Sequence, residues 1–215
     1  MIIKPKKLPR PIFLLIGYLL KLLLRLKFKK VVVEMVELKP NHSYLLALNH
    51  FSFWDGVWAY HLIWNHLNQQ RRINEAYIMV IKKQLQMRPW LRYIGCFSVN
   101  RGKASVNESL NYAAEMLSKP GNLLLLFPQG DMESQHIRKI LIKEGIANIL
   151  TQVKGDCQII WSSNVLEYFE SLKPSVYFHL IDAGTNHDFD LESFKEKVNQ
   201  HHLKAMQKRI RFTQQ

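Results

Sequence analysis

Two runs constrain the fold more than anything else in the chain. Leu123-Leu124-Leu125-Leu126-Phe127 is apolar without a break, and Tyr44 to Leu48 is a second strand-length apolar run. A strand with one wet face alternates apolar and polar residues, so an unbroken run suits a strand buried on both faces of a parallel sheet. Parallel neighbours need crossover connections, usually helices, and helical patterns do stand between the strand-like ones. Gly56 to Leu67 places Val57, Trp58, Tyr60, Leu62, Ile63, Trp64 and Leu67 mostly on one side. Ser105 to Leu117 puts Val106, Leu110, Ala113, Ala114 and Leu117 on one face. Ile140 to Leu150 reads as a further helix despite Gly145, and Leu191 onward as a charged terminal helix. Additional strands are expected at Val31–Val36, Ala76–Ile81, Phe97–Val99, Gln158–Trp161 and Ser175–Ile181. Strands alternating with helices give an α/β sheet with ligands at the carboxyl ends of its strands.

With 215 residues there is enough chain for one sizeable core, and 47% hydrophobic residues argue against disorder. The beginning of the chain is set apart. Lys4, Lys6, Lys7 and Arg10 precede an apolar block from Ile12 to Leu20 that continues as Leu22-Leu23-Leu24. A basic stretch before an apolar one imitates a signal peptide, but Arg25, Lys27, Lys29 and Lys30 follow in place of a small-residue cleavage site. Lys21 and Arg25 also interrupt the run before it reaches the roughly 20 apolar residues of a spanning helix. Residues 1–30 therefore read as a helix lying in the interface of an anionic leaflet. The competing expectation is a buried N-terminal helix with solvated lysines. A formal net charge of +13, from 30 Lys+Arg against 17 Asp+Glu, favours an anionic partner, either nucleic acid or a lipid surface. Cys96 and Cys157 form no CxxC pair, so neither a zinc site nor a disulfide framework is suggested.

Chemistry concentrates where the Tyr44–Leu48 strand stops. Asn49-His50-Phe51-Ser52-Phe53-Trp54-Asp55-Gly56 carries a histidine and, five residues later, an acid. A carboxylate beside a histidine fixes its tautomer and steadies the imidazolium, which makes the histidine a general base. On an extended strand the two are too far apart to meet. A turn entering a helix could bring them together, with Ser52 or Asn49 capping that helix. The spacing alone is weak.

Companion segments give it weight. Gly95-Cys96-Phe97-Ser98-Val99-Asn100-Arg101, Phe127-Pro128-Gln129-Gly130 and Lys143-Glu144-Gly145-Ile146-Ala147 follow in order. With the Asn-His-x4-Asp block, these resemble the ordered blocks of the glycerolipid acyltransferases, the lysophosphatidate acyltransferase family, over roughly Leu45 to Trp161. The resemblance implies a mixed, mostly parallel central sheet flanked by helices, with residues 31–215 forming one acyltransferase-like domain. It implies transfer of a fatty acyl group from an acyl thioester, on coenzyme A or acyl carrier protein, to a lipid acceptor, without a cofactor or a metal. His50 and Asp55 would be catalytic, as general base and orienting acid. Asn49, Ser52, Arg101, Phe127, Pro128, Gln129 and Gly130 would line the substrate site, with Arg101 holding an anionic head group. Location at the cytoplasmic face of the membrane, peripheral or monotopic, follows from the same reading.

Departures from the pattern bear on the acceptor. Gln129 stands where the family usually has glutamate, and Asp131-Met132-Glu133 replaces the usual Thr-Arg-Ser. Asn100 replaces an aspartate, and the proline expected near Ile159-Ile160-Trp161 is absent. Two acids around Met132 would repel a phosphate dianion, so an acceptor other than lysophosphatidate is expected. Three rival readings remain. Nucleic-acid binding fits the charge but not its concentration around an apolar block. Metal hydrolysis could use His61 and His66, although five residues place them on one α-helical face less neatly than four would. A catalytically degenerate member that binds lipid or a partner is the non-enzymatic alternative.

Overall fold

The structure, a computed structural model, describes residues 2–100 and 105–209. Helix α1 (Arg10–Lys27) is followed by β1 (Lys30–Glu34) and β2 (Ser43–Leu48). Helix α2 (Asp55–Leu62) runs on through a π-helical turn, Ile63–Leu67, into the short α3 (Asn68–Gln70). Strand β3 (Glu75–Ile81), α4 (Lys82–Met87), a 3-10 helix Pro89–Ile94 and β4 (Cys96–Val99) come next. The chain ends with α5 (Ser105–Leu117), β5 (Asn122–Leu126), α6 (Gly145–Leu150), β6 (Cys157–Glu167), β7 (Ser175–Thr185) and α7 (Leu191–Gln207).

The strands form one seven-stranded sheet in the order β1-β7-β6-β2-β5-β3-β4. From β6 to β4 all neighbours are parallel, β7 is antiparallel to β6, and β1 is parallel to β7. This is the mixed, mostly parallel α/β sheet expected. The two apolar runs lie at its centre, where every residue of β2 and β5 is buried. Alternation distributes them between two cores. Leu45, Ala47, Leu124 and Leu126 face the layer holding residues of α5, α6 and α7. Tyr44, Leu46, Leu48, Leu123 and Leu125 face α1 and α2. A period of two thus buries both faces of one strand, each fully buried leucine contributing about 1.5–3 kcal/mol.

The β4 edge of the sheet is covered by the chain itself. Ahead of α1, Ile3 exchanges hydrogen bonds with Ser98, donating to its Oγ and accepting from its N–H, so the N-terminal segment covers edge strand β4. Helix α1 packs Phe13 against Tyr60 and Trp64 and buries Leu24. Just past its end, Phe28 is buried against Trp54 and Trp58. Its other side leaves Ile12, Leu15, Leu19, Leu22 and Leu26 exposed. No helix among the described residues is long and apolar enough to cross a membrane.

Three sequence expectations change. The helix expected over Ile140–Leu150 begins only at Gly145. Upstream, Asn199 of α7 holds both the N–H and the carbonyl of Ile140, and the Lys143 N–H donates to the Pro128 carbonyl, so this backbone pairs outward instead of with itself. Strands β6 and β7 extend well past Trp161 and Ile181. In β6 the extension is polar yet buried, Ser162-Ser163-Asn164, with local bonds engaging every side chain although Asn164 Nδ2 is left without a partner. The Trp161 indole donates to Ser163 Oγ, and Ser162 Oγ donates to Asn164 Oδ1. Finally, neither Asn49 nor Ser52 caps α2, whose N-cap position is Trp54 without a side-chain cap.

Candidate active site

Strands β2 and β5 are neighbours that end on the same side of the sheet, and the loops leaving them meet. At the end of β2 the ladder to β6 continues through a side chain. Asn49 Nδ2 donates to the Asn164 carbonyl at 2.9 Å, and the Asn164 N–H donates to Asn49 Oδ1 at 2.7 Å. Both ends of the Asn49 amide are thereby engaged by β6 backbone, and the main chain is free to leave the sheet at His50.

The chain then wraps around Asp55. His50 Nδ1 lies 2.6 Å from Asp55 Oδ2. The same oxygen accepts the backbone N–H groups of Phe51 at 2.9 Å and Ser52 at 3.0 Å. Ser52 Oγ accepts the Trp54 N–H, closing the turn one step ahead of the helix. Asp55 is the first residue of α2, where the helix dipole favours a negative charge, and its side chain is only 1% exposed. His50 is 24% exposed, so a buried anion stands behind an accessible imidazole. With Nδ1 turned onto the carboxylate, Nε2 is the nitrogen left to take up a proton.

The β5 loop fixes the other sides of His50. The Phe127 ring stacks on the imidazole with centroids 4.4 Å apart and planes inclined by 28°. Gly130, at φ 76, donates its N–H to the Phe127 carbonyl and turns the chain through Pro128 and Gln129. Its positive φ suits glycine. Gln129 is buried, and its Oε1 accepts the His50 N–H at 2.6 Å while its Nε2 donates to Glu133 Oε2. The Glu133 N–H closes the circuit by donating to the His50 carbonyl at 2.9 Å. This accounts for glutamine at 129. A glutamate there would face the Glu133 carboxylate, whereas glutamine supplies the N–H that Glu133 accepts.

Of the other acids in this loop, Asp131 pairs with Lys143 at 2.9 Å at the surface. Met132 is exposed. Glu133, which in sequence reads only as a repulsive charge, joins the site; its four-residue spacing from Gln129 is the one signal the sequence carries. Arg101 and Lys103 lie outside the described residues. Burial pushes the Cys96 thiol up to about 12 and that of Cys157 up to about 11, so neither is a thiolate at neutral pH.

His61 and His66 do meet, contrary to the α-helical spacing argument. The π-helical turn adds a residue to the circuit, with the Asn68 N–H reaching back to the Ile63 carbonyl, and their Nε2 atoms lie 3.3 Å apart. Among the described residues no group of three or more metal-ligating side chains occurs.

The family model described as Acyltransferase matches residues 30–161, more than half of the chain and the whole stretch carrying both loops. This chain belongs to the acyltransferase family. Its fold is similar to the crystal structure of the 1-acyl-sn-glycerophosphate acyltransferase PlsC from Thermotoga maritima. The TM-score is 0.61 at 15% sequence identity, over 93% of this chain and 80% of that one. No curated protein matches in sequence. The acyltransferase family and the mostly parallel α/β fold expected from the ordered blocks are therefore both borne out.

Proposed function

We propose that this acyltransferase works at the cytoplasmic face of a membrane, moving a fatty acyl group from coenzyme A or acyl carrier protein to the hydroxyl of a lysolipid-class acceptor. The observation that carries this reading is the 2.6 Å contact between His50 Nδ1 and the buried Asp55, with Nε2 left over. The acceptor oxygen attacks the thioester carbonyl carbon while His50 Nε2 removes its proton. Asp55 holds the ring and steadies the imidazolium without itself taking the proton. The tetrahedral oxyanion collapses, the C–S bond breaks, and the proton passes to the departing sulfur to give a free thiol and an ester. Gln129 and Glu133 grip the His50 backbone, and Phe127 holds the imidazole plane, so the base is set before substrate arrives. Arg101 would hold the acceptor's anionic head. With Met132 where the usual arginine would meet a phosphate, that acceptor is read as a lysolipid bearing less phosphate charge than lysophosphatidate.

Membrane attachment is assigned to α1. Its exposed stripe of Ile12, Leu15, Leu19, Leu22 and Leu26 is flanked by Lys21, Arg25 and Lys27, the composition of an interfacial helix. Because Phe13 and Leu24 pack inward, substituting the exposed leucines tests attachment without opening the core. Leu15→Ser with Leu19→Ser and Leu22→Ser should abolish sedimentation with anionic vesicles; unchanged sedimentation refutes the anchor. For the reaction, free thiol release is followed with acyl-coenzyme A and acyl carrier protein against a panel of lysolipids. Release dependent on one acceptor is expected. No release with any of them would overturn the enzymatic reading in favour of a lipid-binding role.

A further inference from the structure

A second site lies toward the far end of α2 from Asp55, where residues of α1 and of the π-helical turn line one cleft. There a cavity of about 480 Å³ is bordered by Lys21, Arg25, Lys29, Lys30, His61 and His66. It has no acidic lining residue, and none of its four cationic side chains makes an ion pair among the described residues. Leu24 of α1 and Phe28 just past it, both buried, also line the cleft, with Val31 and Asn65. We infer that this cleft binds the phosphate of an anionic glycerophospholipid head group.

The polarity of the two histidines fits an anion. Asn65 Nδ2 lies 3.0 Å from His61 Nδ1, so that nitrogen accepts and the His61 proton sits on Nε2. His61 Nε2 then donates to His66 Nε2 at 3.3 Å, which leaves the His66 proton on Nδ1 as a donor. Burial, reinforced by His66 and Lys21, pushes His61 down to about 4, so the pair is neutral near pH 7 and the positive field there has no internal counter-charge. An oxyanion supplies it, with lysine and arginine N–H groups and the one remaining imidazole N–H, on His66, as donors. The source is a lipid because of where the cleft sits. Lys21 and Arg25, one turn apart on α1, lie between its buried face and its exposed apolar stripe. A head group in the cleft would thus have its acyl chains beside Leu22 and Leu26. The volume is many times the roughly 30 Å³ of a water molecule, enough for a glycerophosphate.

This inference rests on the reading of α1 as membrane-facing, not on acyl transfer. The full chain and its K21Q/R25Q variant are compared in binding to phosphatidylcholine vesicles doped with phosphatidate. A K6Q/K27Q variant, carrying the same loss of charge outside the cleft, is the control. The cleft variant should lose affinity about tenfold more than the control, the scale of one or two charge-assisted hydrogen bonds. Imidazole resonances of His61 and His66 should shift on adding soluble dihexanoyl phosphatidate, and much less in the cleft variant. Equal losses in the two variants would overturn the cleft and leave only diffuse attraction to the surface. Equal imidazole shifts with inorganic phosphate alone, and no selective loss on vesicles, would overturn the lipid as source. Failure of the unaltered chain to bind anionic vesicles at all would instead overturn the membrane-facing reading itself.

Discussion

The two loops that meet at His50 are built in opposite ways. The loop after β2 is local: within Asn49 to Asp55 the carboxylate, its imidazole partner and two of its backbone donors span six residues. The loop after β5 is non-local. Phe127, Gln129 and Glu133 act by touching His50, some eighty residues earlier, and Pro128 and Ile140 are held by Lys143 and by Asn199 of α7. A local turn carries its chemistry in its own spacing. A non-local loop carries a share of a partnership, so a residue in it has meaning only beside its partner. The glutamine at 129 illustrates this, since it reads as the loss of a catalytic-family acid until Glu133 is placed against its amide.

This contrast can be broken experimentally. The largest effect is expected in the local turn, where Asp55→Asn keeps the shape but removes the charge proposed to orient His50 and steady its cation. The rate of acyl transfer should fall by about 10²–10⁴-fold, measured as thiol release with KM for the acceptor little changed. A full rate would show that Asp55 does not orient His50. In the non-local loop, Gln129→Glu places two carboxylates together and should cost about tenfold or more in rate, with a lowered unfolding midpoint, because two like charges cannot share that contact without one taking a proton. Glu133→Gln in the same chain should restore most of both. That rescue has no counterpart in the local turn, and its absence would mean Gln129 and Glu133 act separately.

The smallest effect is on acid stability. The β5 loop runs on to Ile137, whose carbonyl accepts from the buried His202, and the nearby His201 bonds the His179 carbonyl. Burial holds His201 and His202 below their ordinary value of 6.5. An unfolded chain therefore binds protons at these positions where the folded one resists them. Their contribution is complete above pH 6.5 and is lost as pH falls through the depressed folded values. The thermal midpoint should decline from pH 6.5 downward, and amide exchange should rise around Ile137 before it rises around Phe51. Simultaneous loosening of both segments would contradict the separation.

The same distinction governs what could be read before the structure. The central strands were legible because Leu123–Leu126 and Tyr44–Leu48 are apolar on both faces, and α5 because Leu110, Ala113, Ala114 and Leu117 keep helical spacing. The ends of β6 were not, because Ser162, Ser163 and Asn164 are polar and become strand residues only once Trp161 and Asn49 satisfy them. The helical pattern from Ile140 overstates the helix for a similar reason, since the Ile140 backbone bonds go to Asn199. His50 and Asp55 could be paired from sequence through the ordered blocks. Glu133 could not be placed, and the meeting of His61 with His66 depends on a π-helical turn that no α-helical periodicity encodes.

The central claim is that His50 and Asp55 act as one unit on the acceptor hydroxyl, and a double-mutant cycle on thiol release tests it most directly. Rates are compared for the unaltered chain, His50→Ala, Asp55→Asn and the two together, with folding checked by circular dichroism. If the pair is a unit, His50→Ala loses nearly all activity and adding Asp55→Asn costs almost nothing more. Additive losses, or acyl transfer surviving His50→Ala, would contradict the account.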